Sequence, residues 1–329
     1  MVGMYYLASH FCHAGVMKCR LLEAIMDNEE VPKNGKKGTK TSAFGVSKRE
    51  GHDSSKYYNS RLYESIPKET DVGEPVEFPD ELKNKLLCQD ARDMTMIPSN
   101  SVHHMVTSPP YNVSKEYDEN LTLQEYLSLL REVFREVYRV LVPGGRAVVN
   151  IANVGRKPYI PLSTYVNTIM IELGFLMRGE IIWDKSASAG SSTAWGSFQS
   201  ASNPCLRDIH EYILVFSKGS FKLSRTEQEK ENGRENTIEK QEFIDLTKSI
   251  WKFPTASAKR IGHPAPFPEE LPRRCIEFYT FSGDVVLDPF MGSGSTALAA
   301  IQTGRNFIGF DISKEFIDLA KKRISSDLI

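Results

Sequence analysis

The stretch Val285-Val286-Leu287-Asp288-Pro289-Phe290-Met291-Gly292-Ser293-Gly294-Ser295-Thr296-Ala297 decides the fold. Its first four residues are an apolar run closed by an acid, as in a buried strand, and the glycine-rich part behind it opens a helix from about Ser295. Glycines at such a turn let the backbone approach a ligand closely. Asp311, which closes the next apolar run from Phe307, can take both hydroxyls of a ribose. The stretch thus reads as a nucleoside-cofactor turn in an α/β domain. Gly292-x-Gly294-x-x-Ala297 also matches the dinucleotide fingerprint, but three features count against a dehydrogenase. Asp288 and Pro289 stand where a pyrophosphate needs bare amides, a single helix follows Asp311, and no Lys follows the glycines. An adenosine cofactor without phosphates fits better.

Working back along the chain, a second constellation closes the apolar run Val102 to Thr107: Thr107-Ser108-Pro109-Pro110-Tyr111-Asn112. Two prolines fix the backbone and remove two donors, leaving carbonyls free to accept from a ligand amino group, and Tyr111 offers a flat ring for stacking. Taken by itself the segment is equally a rigid strand-to-helix turn. Its occurrence together with the glycine turn favours the chemical reading.

The rest of the chain alternates strand and helix. Leu86 to Asp90 reads as a strand. Leu121 to Leu141 reads as a helix, with Tyr126, Leu127, Leu130, Val133, Phe134, Val137 and Leu141 at spacings of three and four. Thr122 and Glu125 make a capping box at its start, and Pro143-Gly144-Gly145 is expected to stop it. Arg146 to Ala152 is then a strand, Ile160 to Leu173 a helix, and Leu176 to Trp183 and Glu211 to Phe216 strands. A helix near Glu269 to Tyr279 and a last helix from Lys314 complete the pattern. Lys185 to Pro204 and Ser220 to Lys248 read as loops or a small insertion.

Composition narrows the class. The chain has 329 residues and a net charge of -1, so any nucleic-acid surface must arise from local segregation of charge. Between Val31 and Arg61 lie eight Lys and Arg residues against Glu50 and Asp53, a basic arm that is either solvated or contacts DNA. We expect residues 1–60 to be a flexible arm and 61–329 the main domain, with an inserted region at about 185–262. No apolar run reaches the roughly 18–20 residues that span a bilayer, and an intracellular protein is expected. The scattered Cys12, Cys19, Cys88, Cys205 and Cys275 suggest no metal site.

The two motifs together resemble those of the amino-methylating DNA methyltransferases, in the permuted group whose catalytic motif precedes the cofactor motif. The family's pattern of Asp, Asn or Ser before Pro-Pro-aromatic is matched by Ser108 to Tyr111, and its acidic-Pro-Phe-x-Gly-x-Gly-(Ser/Thr) pattern by Asp288 to Ser295. The resemblance covers roughly Leu86 to the end. It implies the Rossmann-like fold of S-adenosylmethionine-dependent methyltransferases, a mostly parallel sheet with helices on both faces. It also implies S-adenosylmethionine as cofactor, with S-adenosylhomocysteine as product.

Residue by residue, the resemblance carries the methionine and ribose portion of the cofactor onto Asp288, Pro289, Phe290, Gly292, Ser293, Gly294, Ser295 and Thr296, with Asp311 on the ribose hydroxyls. Asp90 would accept from the adenine amino group, Thr107 opens the adjoining turn, and His263, Pro264 and Phe267 look like the segment that packs on the methionyl end. The alternative reading of the Pro-rich residues 263–268 is a rigid linker into the next helix.

Such an enzyme rotates its target base out of the duplex. Ser108 and the Pro109 carbonyl would accept from the exocyclic amino group, Pro110 would hold the turn, and Tyr111 would stack on the base. Transfer would be direct, and Ser108, too weak a base, would orient while the proton goes to solvent. Ser in the first position of the motif is typical of cytosine-N4 enzymes in the family, Asp of adenine-N6 enzymes. The five cysteines are read as offering no activated thiolate beside a proline, which methylation at cytosine C5 requires.

For DNA contacts the candidates are Lys48, Arg49, Lys56 and Arg61 of the arm, with Trp195, Arg207, Lys259 and Arg260 of the insertion. Expected partners are duplex DNA, a second copy of the chain, and a cognate restriction endonuclease through genetic linkage. Other readings stay open: adenine N6 as target, RNA or a small amine as substrate, and, further off, an NAD-dependent oxidoreductase or a non-catalytic DNA-binding protein.

Overall fold

The computed structural model describes residues 61–111, 121–186, 196–231, 235–256 and 268–327. The chain divides after Glu64. Of the first part only residues 61–64 are described, where Arg61–Tyr63 forms a 3-10 turn with Arg61 exposed. Lys48, Arg49, Lys56, Asn112, Trp195, Lys259, Arg260, His263, Pro264 and Phe267 lie outside the described residues.

Within Ser65–Ile329 the elements follow as β1 (Lys85–Cys88), β2 (Val102–Thr107), α1 (Leu123–Val140), β3 (Leu141–Ile151), β4 (Val154–Gly155), β5 (Tyr159–Ile160), α2 (Leu162–Glu172), β6 (Phe175–Asp184) and β7 (His210–Lys218). Then come α3 (Glu227–Glu231), α4 (Lys240–Leu246), β8 (Ile250–Lys252), α5 (Glu270–Tyr279), β9 (Val285–Asp288), α6 (Ser295–Gln302), β10 (Asn306–Asp311) and α7 (Lys314–Asp327). Eight strands form one sheet in the order β1-β10-β9-β2-β3-β7-β6-β8, and β4 and β5 make a small hairpin. Within the sheet β7 alone runs against its neighbours.

Burial on two faces explains the parallel core. β2 and β9 are buried at every residue, as expected of strands covered by helices on both sides. Alternate residues feed different cores. Met105, Val149, Phe216 and Leu287 join Leu130, Phe134 and Met170 of α1 and α2, whereas Val106, Val148, Val215 and Val286 join Trp251, Leu271 and Ile276. Burying an aliphatic or aromatic side chain of this kind stabilises by roughly 1.5–3 kcal/mol.

Helix α1 begins as its sequence dictates. The Thr122 side chain accepts from the Glu125 amide and Glu125 accepts from the Thr122 amide, and the apolar stripe Tyr126, Leu130, Val133, Phe134, Val137 is buried. Its end corrects the expectation from Pro143-Gly144-Gly145. The helix stops at Val140 and β3 starts at once at Leu141, carrying the three residues inside the strand. The β2–β3 register jumps there, from Val102↔Leu141 to His104↔Arg146. The cause is a chain crossing: the Ser224 amide donates to Pro143 O, and Arg146 reaches Gly144 O and Phe221 O. The bulge lets residues 221–224 lie against the strand.

The expected insertion also takes a definite form. β7 and β8, inside 185–262, belong to the main sheet, and two short helices occupy part of the stretch read as a loop at Ser220 to Lys248. No helix among the described residues is long and apolar enough to cross a membrane.

Candidate active site

β2 and β9 lie side by side, and the chain leaves them in opposite directions across the sheet, β2 toward β3 and β9 toward β10. Beyond the carboxyl ends of two such strands a crevice opens, because neither connection covers it. The main cleft is there. It is lined by Gln89 to Arg92, Ser108 to Tyr111, Asp288 to Ser293, Ser295, Asp311 to Ser313, Phe316 and the α1 side chains Tyr126, Leu129 and Val133.

Asp288 ties the two strand ends together. Thr107 Oγ1 donates to its Oδ1 at 2.6 Å, Thr296 Oγ1 to its Oδ2 at 2.6 Å, and the Phe290 amide to Oδ1 at 3.0 Å. Burial pushes this carboxyl up to about 6, against the three donors that favour its charged form. A carboxyl with a raised folded value contributes stability below its unfolded value and loses it as pH rises through the folded one. The stability advantage of wild type over Asp288→Asn should therefore shrink by about 2 kcal/mol between pH 4 and pH 7, measured by urea unfolding. An advantage that does not change with pH would contradict this assignment.

The glycine turn is held from outside. Arg323 of α7 donates to the Ser293 carbonyl and, at 2.9 Å, to Ser293 Oγ, and it pairs with Glu269. Gly294 has φ of 83°, and a Cβ there would sit 2.8 Å from Ala320 Cβ. Its lack of a side chain lets the turn pack closely against α7. Gly292 does face the cleft, and its amide donates to Asp311 Oδ2 at 2.9 Å while the Ser313 amide donates to Oδ1 at 2.8 Å. Burial raises the Asp311 carboxyl and the two amides draw it back.

Asp90 lines the opposite end with its carboxylate gripped by Arg92, at 2.9 Å from Nε and 2.6 Å from Nη2. The pairing with Arg92 holds Asp90 below the usual carboxylate range. Ser108, Pro109, Pro110, Tyr111, Asp90, Pro289, Phe290, Gly292, Ser293, Ser295 and Asp311 thus meet around one cleft with Asp288, whereas Thr107, Gly294 and Thr296 stand behind it. Arg207 is exposed in the loop between β6 and β7.

Behind the Ser108 turn, Asn150, Glu211 and Lys185 escaped the sequence reading. Asn150 Nδ2, buried at the end of β3, donates to Glu211 Oε2 at 2.5 Å and lies 3.4 Å from Ser108 Oγ. Tyr111 Oη donates to the same Glu211 oxygen at 3.2 Å and lies 3.3 Å from Ser108 Oγ. Lys185 Nζ donates to Glu211 Oε1 at 2.7 Å. The Tyr111 hydroxyl is therefore turned inward, and burial together with the Glu211 carboxylate raises it well above the usual phenol range. The sequence carried one signal, an acid opening the otherwise apolar run of β7.

Two other groups fall away as chemistry. Cys205 does follow a proline, Pro204, which the cysteine reading passed over, but it sits in the loop between β6 and β7 and does not line the cleft. His103, Glu229 and Asp284 cluster in the interior. His103 Nδ1 accepts from the Val285 amide at 3.1 Å, so the ring proton lies on Nε2, 2.9 Å from Glu229, and no lone pair is left there for a metal.

The cleft suits a nucleoside that carries a positive centre. Among the described residues its lining holds three carboxylates, Asp90, Asp288 and Asp311, against one cation, Arg92, which is already paired. Such a lining repels a pyrophosphate, which counts against NAD, and attracts a sulfonium.

Residues 102–322 match the DNA methylase family N6_N4_Mtase. The type II methyltransferase M.MjaI of Methanocaldococcus jannaschii is 32% identical over 291 residues, covering 74% of this chain and 94% of the relative. M.MthZI of Methanothermobacter thermautotrophicus is 30% identical, covering 74% and 77%. Among solved structures, a candidate DNA modification methylase of Thermus thermophilus complexed with S-adenosyl-L-methionine is 31% identical with a TM-score of 0.59, covering 74% of this chain and 94% of that one. The cytosine-N4-specific PvuII DNA methyltransferase shares the fold at 19% identity with a TM-score of 0.58, covering 78% and 95%. The central sheet, the cleft at its switch point and these matches lead to one conclusion: this chain belongs to the N6/N4 amino-methylating DNA methylase family.

Proposed function

We propose that the protein transfers the methyl group of S-adenosylmethionine to the exocyclic amino group of a flipped base in duplex DNA, at cytosine N4. The observation that carries the reading is the Thr107–Asp288 hydrogen bond of 2.6 Å, which clamps the Ser108-Pro109-Pro110-Tyr111 turn beside the glycine turn on one cleft. Cytosine is favoured by Ser108 in the first position of the motif. The cofactor, when bound, supplies an electrophilic methyl on a cationic sulfur. Asp311 would accept from its ribose hydroxyls, Gly292 would allow close approach of the backbone, and Phe290 and Phe316 would pack on its apolar surface. Asp90 would receive the adenine amino group on the lone pairs that Arg92 leaves.

The turn then positions the base. The Ser108 hydroxyl and the Pro109 carbonyl accept from the amino group, which withdraws its lone pair from the ring and aims it at the methyl. Asn150 donates toward Ser108 Oγ and fixes that oxygen. A duplex partner is expected to be gripped by basic residues that include Arg207 and the 1–60 arm, the setting is the nucleoid of a prokaryote, and a second copy of the chain and a linked restriction endonuclease are the further expected partners.

Incubation with unmodified genomic DNA and labelled S-adenosylmethionine, followed by nucleoside digestion and mass analysis, tests the reading. N4-methylcytosine is the expected product. N6-methyladenine would overturn the base assignment, and transfer to structured RNA without transfer to duplex DNA would overturn the substrate class.

A further inference from the structure

The polar side chains behind the Ser108 turn form a chain with a direction. Lys185 donates to Glu211 Oε1 at 2.7 Å, which orients the Glu211 carboxylate as an acceptor. Glu211 Oε2 accepts hydrogen bonds from Asn150 Nδ2 at 2.5 Å and Tyr111 Oη at 3.2 Å. Tyr111 Oη, donating its hydrogen bond to Glu211, faces Ser108 Oγ as an acceptor at 3.3 Å. The Ser108 proton is then directed at Tyr111, leaving an oxygen lone pair for the cleft. The separations at Ser108 and Tyr111 are long for hydroxyl bonds, as is usual in sites that tighten when substrate fills them.

This arrangement bears on a problem left by the turn itself. A serine hydroxyl can take a proton only if it passes its own on. Resting on the amino-methylation reading above, we propose that Glu211, reached through Ser108 and Tyr111, is the final acceptor of the proton that leaves the target amino group. The nitrogen uses its lone pair to form the bond to the methyl carbon, the carbon–sulfur bond breaks with its pair left on sulfur, and in the same transition state the nitrogen gains positive charge and loosens an N–H bond. It sheds one hydrogen as a proton to Ser108 Oγ, the Ser108 proton moves to Tyr111 Oη, and the Tyr111 proton to Glu211 Oε2. Each hydroxyl gains one proton and loses one, and the carboxylate ends as a carboxylic acid. Glu211 keeps 12% of its side-chain surface exposed, so the proton can then leave to water. Lys185 and Asn150 are positioning residues that hold the acceptor, and direct loss to solvent from Ser108 is replaced by an internal route.

The test is a double-mutant cycle on single-turnover methylation of duplex DNA at saturating cofactor, with cofactor and DNA affinities measured by fluorescence. Glu211→Gln and Tyr111→Phe should each slow the turnover by about 100-fold, and the double variant should be no slower than either, because both lie on one path. Cofactor and DNA affinities should stay within about threefold of wild type, since a proton acceptor acts after binding. A Glu211→Gln rate within about threefold of wild type, or losses that multiply in the double variant, would overturn the relay. If Glu211→Gln fails to fold, Tyr111→Phe decides, because it keeps the ring and removes the hydroxyl in mid-path; an undiminished rate there overturns the proposal. A wild-type protein that methylates no DNA overturns the functional reading itself and the relay with it.

Discussion

Replacing Asp311 by Ala should weaken S-adenosylmethionine binding by at least about 100-fold, the largest single loss of cofactor affinity expected from the cleft. The carboxylate closes β10, and its two oxygens each accept one backbone amide, from Gly292 and Ser313, which leaves lone pairs for a ribose diol. Two hydrogen bonds to a charged acceptor contribute about 1.5–3 kcal/mol each, so their joint loss spans two or more decades in affinity. Asp311→Asn keeps one acceptor oxygen and should lose only about tenfold. Isothermal titration measures both, with melting curves to show that the variants fold. Affinities of Asp311→Ala within about threefold of wild type would remove Asp311 from the cofactor site.

Gly144→Ala should destabilise the fold by about 3 kcal/mol or more, a large part of the 5–15 kcal/mol typical of a domain. Gly144 has φ of 74°, which costs an L residue about 1–2 kcal/mol, and its Cβ would land on the Lys222 carbonyl. That carbonyl is held by the neighbouring bond from Ser224 N to Pro143 O and cannot retreat. Gly283→Ala provides the control. Its φ is 79° with open space around it, so it should show the conformational cost by itself, about 1–2 kcal/mol. Equal urea-unfolding losses in the two variants would show that the crossing at Lys222 exerts no steric demand.

The same bulge marks where sequence reading stops. Short runs bounded by turn residues located β2 and β9 residue for residue, although β2 buries His103, His104 and Thr107 beside its apolar residues, and the capping box located the start of α1. Pro143-Gly144-Gly145 was read by the local rule for helix stops, yet the demand it answers comes from residues about 80 positions away, which no local rule contains. β8 was missed because three residues, of which only Trp251 is buried, give no period.

The site divides in the same way. The two motifs were visible because each is contiguous, and the switch point brings them together. Glu211 and Lys185 were hidden because their meaning depends on the order β3-β7-β6, which sets the start of β7 and the end of β6 behind the Ser108 turn. Arg92 was hidden by its ordinary composition, although the structure makes it the counter-ion of Asp90.

Single-turnover transfer of labelled methyl from S-adenosylmethionine to duplex DNA, compared between wild type and Ser108→Ala with cofactor binding measured in parallel, tests the role of the switch-point cleft most directly. The expected result is cofactor affinity unchanged within about threefold and transfer slowed by about 100-fold or more, because Ser108 is proposed to hold the amino group and not the cofactor. Transfer by Ser108→Ala at the wild-type rate would contradict it.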